Sequence, residues 1–346
     1  MREKGDVYGC HRVLYPTGFM PQAAERLDNH PEIFSNEILI DVIALQPTAT
    51  AFSRIKTECG GDVEKMKKEF MNIVQHAGKF QCPVTRSGGI LIGRIKEIGS
   101  DLADHTEAKV GDKIATLVSL SLTPLKIYSI EDISLETEQV FVKAEAILFE
   151  SGIYAKLPSD LDENISLALM DVAGAPAQVA ANVKTGDTVV VIGAGKAGIL
   201  SLAEAKKRVA PSGKVICMEY DGQQCKTVRK LGIADHVIQA NAQSPVEAFG
   251  KYNKVMNGKL ADFTVNTVNV PDTELTTILT TKNEGLIYFF SMSTNFVKAS
   301  LGAEGIKKYT RMMIGNGYYP NHTEIAFSIV RNHQKVKNYF AAKYTK

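Results

Sequence analysis

The pattern in this chain with the most chemical content is Gly193-Ala194-Gly195-Lys196-Ala197-Gly198. It ends a continuous apolar run, DTVVVIG (187–193), and opens a stretch with helical apolar spacing, AGILSLAEAKKRVA (197–210). Glycine at the first position permits a tight turn. At the second it lets the backbone approach a pyrophosphate, and at the third it lets strand and helix pack closely. The amino terminus of the helix adds free N–H groups and a partial positive charge for the phosphates. The next run ends in Met218-Glu219-Tyr220-Asp221. Glu219 lies at the distance downstream expected of a carboxylate that accepts hydrogen bonds from an adenosine ribose. A carboxylate there repels a 2′-phosphate, so the pattern predicts NAD in preference to NADP. Tyr220, Lys226 and Arg229 leave some tolerance for NADP open.

These residues need a scaffold that ends strands beside helix amino termini. After residue 185 the chain supplies one, as 187–193, 214–220, 236–240, 261–268 and 285–292 are strand-like and alternate with helix-like stretches. That alternation indicates βαβ units and a parallel sheet, the doubly wound Rossmann arrangement. Ligands bind such sheets beyond the carboxyl ends of the strands, so Asn266, Thr267, Val268, Ser291 and Met292 are expected at the nicotinamide end. Before residue 185 short apolar runs (37–45, 88–99, 112–122) are punctuated by Gly and Pro and read as irregular and strand-rich. One helix stands out there: Asp62 caps it, Val63, Met66, Phe70, Ile73 and Val74 share a face, and Gly78 stops it. The expected fold class is therefore α/β. A catalytic domain spans 1–165, a dinucleotide domain spans 166–319, and 320–346 is a candidate return to the first domain.

The 346 residues are 45% hydrophobic and 23% charged, which excludes a disordered, collagenous or coiled-coil chain. Forty Lys and Arg against 38 Asp and Glu leave a formal charge of +2, so no sequence-wide pull toward nucleic acid is expected. No apolar run approaches the roughly 20 residues that span a bilayer, and MREKGDVYGCHR has no apolar segment of a secretory signal. The five cysteines are odd in number and scattered, which favours a reducing, cytoplasmic setting over a disulfide framework. The basic carboxyl end, from Arg331 to Lys346, reads as a solvated helix face.

The order of a strand-rich domain followed by a Rossmann unit resembles the medium-chain dehydrogenase/reductase superfamily. NEILIDV (36–42), KVGDKIATL (109–117), VKTGDTVVVIGAGKAGI (183–199), LGIADHVI (231–238) and ADFTVNTV (261–268) carry that resemblance. A narrower one rests on HRVLYPTG (11–18), PVTRSGGILIG (83–93), LVSLSLTPL (117–125), ILFESGIYAKLP (147–158), DVAGAPAQVA (171–180), GAEGIKK (302–308) and IGNGY (314–318). Together these segments are similar to the L-erythro-3,5-diaminohexanoate dehydrogenase family of anaerobic lysine fermentation. The resemblance implies a GroES-like catalytic domain, a small diamino acid substrate, NAD-linked oxidative deamination, and a homodimer or homotetramer.

Zinc-dependent members of the superfamily bind a catalytic metal through three regions. Here they read LQPTATAFS (45–53), Ser87-Gly88-Gly89, and the neighbourhood of Asp171, with no Cys or His at the matching positions. Catalytic zinc needs about three protein ligands, so no metal is expected. An amine substrate fits that expectation: an alkyl ammonium resembles Lys, with a pKa near 10, and an ordinary side chain or water can take its proton. Asp171 and Glu58 are the candidate acidic groups, with Asp62 beside Glu58. Arg86 is the candidate partner for the substrate carboxylate, where a planar fork suits it. Thr48, Thr85, Ser87, Ser119, Ser121 and Thr123 are candidate pocket hydroxyls. The bland readings stay open: a turn at Asp171, an exposed Arg86, and a half-buried strand at 117–122. Two competing functions also stay open, a zinc-free quinone or enoyl reductase using NADPH and a nucleotide-binding protein without turnover.

Overall fold

A computed structural model describes residues 2–84, 86–315 and 317–345. The chain divides into two compact units, Met1–Ser159 and Asp160–Lys346. The sequence placed the division slightly later, at 165.

In the first unit, β1 (Val13–Tyr15) and β2 (Arg26–Leu27) form a small antiparallel pair. Next come β3 (Glu37–Pro47), α1 (Ala49–Glu58), α2 (Val63–Ala77), β4 (Gly89–Ile98), β5 (Lys113–Thr116), β6 (Leu125–Ser134), β7 (Gln139–Phe149) and β8 (Tyr154–Lys156). Six strands make one antiparallel sheet in the order β6-β7-β3-β4-β5-β8. The expected helix is present as α2. Asp62 accepts N–H bonds from Glu64 and Lys65, Gly78 ends it at φ 68°, and Met66, Phe70, Ile73 and Val74 are buried. That face joins Ile40, Val42, Leu91 and Val142 in the core, because residues three and four apart share one side of a helix. The strand read over 112–122 stops at Thr116. Beyond it Ser119 caps a short 3₁₀ turn at Leu120–Leu122 by accepting the Ser121 N–H, so the Ser and Leu alternation there is not a strand.

The second unit contains α3 (Glu163–Met170), α4 (Gly174–Asn182), β9 (Thr188–Ile192), α5 (Lys196–Val209), β10 (Lys214–Glu219), α6 (Gly222–Leu231) and β11 (His236–Gln239). It continues through α7 (Pro245–Met256), β12 (Ala261–Asn266), α8 (Glu274–Thr280), β13 (Thr281–Phe289), α9 (Phe296–Gly305), β14 (Arg311–Ile314), α10 (His322–Asn332) and α11 (Gln334–Tyr344). The strands form one parallel sheet in the order β11-β10-β9-β12-β13-β14. This is the strand order 3-2-1-4-5-6 of the dinucleotide fold. All five residues of β9 are buried, as a central parallel strand covered on both faces must be. The closing segment belongs to this second unit: α10 packs on α3, α4 and α5, and α11 on α3. Arg331 holds Asp160 through two bonds of 2.7 and 2.8 Å. Residues 320–346 therefore do not join the first unit, as the sequence had allowed. Among the described residues, no helix is long and apolar enough to cross a membrane.

Candidate functional site

The glycine loop joins β9 to α5 at the carboxyl edge of the parallel sheet. Gly193 sits at φ 89°, and a Cβ there would meet Val268 at 2.8 Å and Thr267 at 2.9 Å. Gly198 lies over the loop, where a Cβ would come within 2.0 Å of the Gly193 carbonyl oxygen. Gly195 has open space where a Cβ would point, and it begins α5 with no side-chain cap. The first-turn N–H groups of α5 are thus free for an anion. All three glycines occupy the places that a diphosphate-binding turn demands.

A cavity of about 570 Å³ opens beside this loop, within the usual size range for small-molecule sites. It is lined by Gly193–Gly195, by Met218, Glu219 and Tyr220 at the end of β10, by Ala240–Gln243 after β11, and by Thr267–Val270 after β12. Glu219 stands on its wall. One carboxylate oxygen accepts the Ala194 N–H at 2.7 Å and the other accepts the Asp221 N–H at 2.8 Å. Gln224 donates to the Ala194 carbonyl, and Tyr339 lies 3.4 Å from the same amide nitrogen. The Ala194 peptide is therefore held on both sides by side chains.

The other expected cofactor residues divide. The Thr267 hydroxyl donates to the carbonyls of Ile192 and Gly193, and Val268 lines the cavity. The Asn266 side chain is fully buried and turned the other way: its amide donates to Thr273 and Thr277, and its oxygen accepts the Val268 N–H. Ser291 is buried against Asn269, whereas Met292 is 86% exposed. Neither lines the cavity. Lys196 and Asp171 form an ion pair of 2.7 Å, with Asp171 at the carboxyl end of α3. Sequence reading singled out neither Gln224 nor the 240–243 and 269–270 segments. The rule that ligands sit beyond strand ends, applied to β11, points to 240–243.

In the first unit a separate polar cluster gathers most of the expected substrate residues. The Thr48 hydroxyl, at the start of α1, is 2.8 Å from that of Ser87. Ser119 and Ser121 lie 2.7 Å apart, and Ser121 donates to Gln22 at 2.6 Å. Gly88 packs against this pair so closely that a Cβ would sit 2.8 Å from the Ser119 hydroxyl. Thr123 donates to the Ser119 carbonyl. Gln81 donates to the carbonyls of Gln22 and Arg86. Lys79 is fully buried and donates to the carbonyls of Pro21 and Gln22. Burial, with a smaller contribution from the Arg86 charge, pulls its ammonium down to about 8. Arg86 itself is exposed, at φ 57°. Glu58 is apart from this cluster. It sits at the far end of α1, half exposed, and is paired with Arg54 at 2.5 Å. Asp62 serves as the α2 cap. Thr85 lies outside the described residues. Among those described, no three His, Cys, Asp or Glu side chains converge on a point that could hold a metal ion.

Residues 11–158 match the family described as L-erythro-3,5-diaminohexanoate dehydrogenase N-terminal domain. Over 342 residues, 99% of both chains, the sequence is 50% identical to the L-erythro-3,5-diaminohexanoate dehydrogenase of Acetoanaerobium sticklandii. It is 48% identical over 343 residues, again 99% of both chains, to the protein of that name from Fusobacterium nucleatum subsp. nucleatum. In fold it is similar to the zinc-dependent alcohol dehydrogenase 2 of Streptococcus pneumonia, with a TM-score of 0.55 at 15% identity over 90% of this chain and 84% of that one.

Proposed function

The chain belongs to the L-erythro-3,5-diaminohexanoate dehydrogenase family, and from that premise we propose that it oxidises L-erythro-3,5-diaminohexanoate with NAD. Water is consumed, and 5-amino-3-oxohexanoate, ammonia, NADH and a proton are formed. The observation that carries this reading is full-length identity near one half to two dehydrogenases of that name, joined to a glycine loop and a carboxylate that suit an unphosphorylated adenosine ribose.

A bound NAD supplies the hydride acceptor. The first-turn N–H groups of α5, Lys196 to Gly198, would hold its diphosphate, and Glu219 would take its adenosine ribose and oppose a 2′-phosphate, which makes NADP the poorer cofactor. The substrate must lose a proton from its reacting ammonium, whose ordinary pKa is near 10. The amine lone pair then assists departure of hydride from the same carbon, and water adds to the resulting iminium. Asp171 is the proposed acidic group for this proton. The hydroxyls of Thr48, Ser87 and Ser121 are proposed to hold the amines, and Arg86 the carboxylate. Glu58 is left out, since Arg54 already claims it. No metal is invoked, because the donor types that zinc requires are not assembled among the described residues. The enzyme is further proposed to be cytoplasmic, in keeping with five cysteines that form no disulfide, and a homodimer or homotetramer, with β14 at the edge of the parallel sheet among the described residues.

The test is NADH formation from L-erythro-3,5-diaminohexanoate at alkaline pH, with NAD and NADP in parallel and with and without a chelator. NAD-linked turnover that survives chelation supports the substrate, the cofactor preference and the metal-free chemistry. Cofactor binding without turnover overturns the substrate. Turnover lost on chelation overturns the metal-free chemistry.

A further inference from the structure

Lys196 is an odd residue to find where it is. It is the first residue of α5, where the helix dipole disfavours a cation. The first turn of α5 has no acidic residue, and the Gly195 cap supplies no side chain. What holds the ammonium is Asp171, brought from the end of α3, twenty-five positions earlier in the chain. The two side chains remain 31% and 43% exposed. A pair this exposed is worth about 0–1 kcal/mol, so it is easily broken. Directly beside it lie the free N–H groups of the first turn and the open space at Gly195. A diphosphate there would bring two negative charges to a helix end that now carries a misplaced positive one.

We propose that Asp171 is a stand-in counter-ion for Lys196, and that the Lys196 ammonium exchanges this carboxylate for the diphosphate of the incoming dinucleotide. This rests on the reading of the second unit as a dinucleotide site. Both pairings are charge-assisted, but a diphosphate brings two negative charges to a helix amino terminus that favours them, whereas the part-exposed pair with Asp171 is of small worth. Carboxylate and diphosphate compete for one ammonium, so removing the carboxylate should help the cofactor. The exchange also frees Asp171 for the acidic role proposed above. Lys196 is thus a cofactor-binding residue, and Asp171 tunes its affinity from outside the cavity.

The test is NADH binding to the whole protein, followed by nicotinamide fluorescence and by calorimetry with ADP-ribose, for wild type, Lys196→Met, Lys196→Arg, Asp171→Asn and the double variant Lys196→Met/Asp171→Asn. Thermal midpoints report folding. Lys196→Met is expected to weaken both ligands by about 10- to 100-fold, leaving adenosine binding unchanged, and Lys196→Arg to restore most of the loss. Asp171→Asn is expected to tighten both ligands, and that gain is expected to vanish when Lys196 is already Met. A brace that merely positions Lys196 gives the opposite sign, with Asp171→Asn weakening the ligands, and that result overturns the proposal. So does unchanged NADH affinity in a folded Lys196→Met protein. Failure of wild type itself to bind NADH or ADP-ribose is a different outcome, and it overturns the dinucleotide reading on which this one stands.

Discussion

The Glu219 carboxylate accepts the main-chain N–H of Ala194 at 2.7 Å, so the acidic residue at the end of β10 is tied to the middle of the glycine loop. Its other oxygen takes the Asp221 N–H, one residue before α6 begins. Each oxygen keeps a second lone pair for a ribose hydroxyl. The negative charge and the loop-holding bond are separable. In Glu219→Gln the amide oxygen can still accept from Ala194, at the expense of the Asp221 N–H bond, and the charge that repels a 2′-phosphate is gone. The ratio of kcat/KM for NADP to that for NAD is therefore expected to rise by about 10- to 100-fold, the size of a 1.4 to 2.8 kcal/mol change, with a stability loss of no more than the one Asp221 bond, about 0.5–1.5 kcal/mol. Steady-state kinetics with both cofactors checks it, and an unchanged ratio places cofactor selection elsewhere.

Two glycines of the loop are expected to fail in different ways. A Cβ on Gly198 would meet the Gly193 carbonyl oxygen at 2.0 Å, a backbone atom that cannot step aside without moving α5. Gly198→Ala should cost about 1–3 kcal/mol of stability and lose NADH binding as well. A Cβ on Gly195 meets nothing within 4 Å, and its φ of −69° suits alanine. Gly195→Ala should keep the wild-type melting temperature yet bind NADH about 5- to 150-fold more weakly, the same clash now made with the ligand. Melting curves and NADH titrations of the pair decide it. Equal losses of stability in both would sink the assignment of open space to the diphosphate.

The parts of this structure legible in the sequence are those set by local pattern. β9 is plain because four of its five residues are Val or Ile, and α2 because its cap, apolar face and terminal glycine agree. Helix α1 is not, since LQPTATAFS carries Pro47 and two Thr within four residues and little helical signal, although Thr48 caps it. Glu58 looked functional from its place near the first missing ligand region, but Arg54, four residues earlier, occupies it. Asp171 and Lys196, or Ser121 and Gln22, meet only through the fold. Asn266 stands at a strand end as expected, yet its side chain turns to Thr273 and Thr277 because burial demands partners for its amide.

HRVLYPTG is held at Arg12, which is fully buried and donates to both oxygens of buried Glu37, at 2.7 and 2.6 Å. Burial pushes the Glu37 carboxyl up, but the bonds from Arg12 and His11 outweigh it, and the group lies below its ordinary value. A carboxyl lowered in the folded state adds stability that is complete above its unfolded value, about 4.3, and is lost as pH falls through the lower, folded value. Glu37→Gln strands a buried guanidinium and should cost about 3–5 kcal/mol. Urea unfolding of both proteins from pH 7 to pH 3 should show the gap between them closing below about pH 4. A gap that stays constant with acid assigns the loss to packing alone.

Lys79 offers the opposite pH window. Its ammonium, fully buried on the carbonyls of Pro21 and Gln22, sits beside the Ser121–Gln22 bond of the polar cluster. Burial first, and the Arg86 charge second, lower it to about 8. The unfolded chain holds this proton up to about 10.4. Between those values the unfolded state binds the extra proton, so stability rises with pH across that window and is flat in this group below it. The span corresponds to about 3 kcal/mol. Lys79→Met removes the titration and keeps much of the volume, so wild type should gain on the variant by up to that amount between pH 8 and pH 10. Urea midpoints of the two proteins at pH 7.5, 9 and 10 measure it, and comparing them cancels every other group that titrates there. Parallel curves would mean that Lys79 keeps its proton throughout, held by the two carbonyls more firmly than burial opposes it.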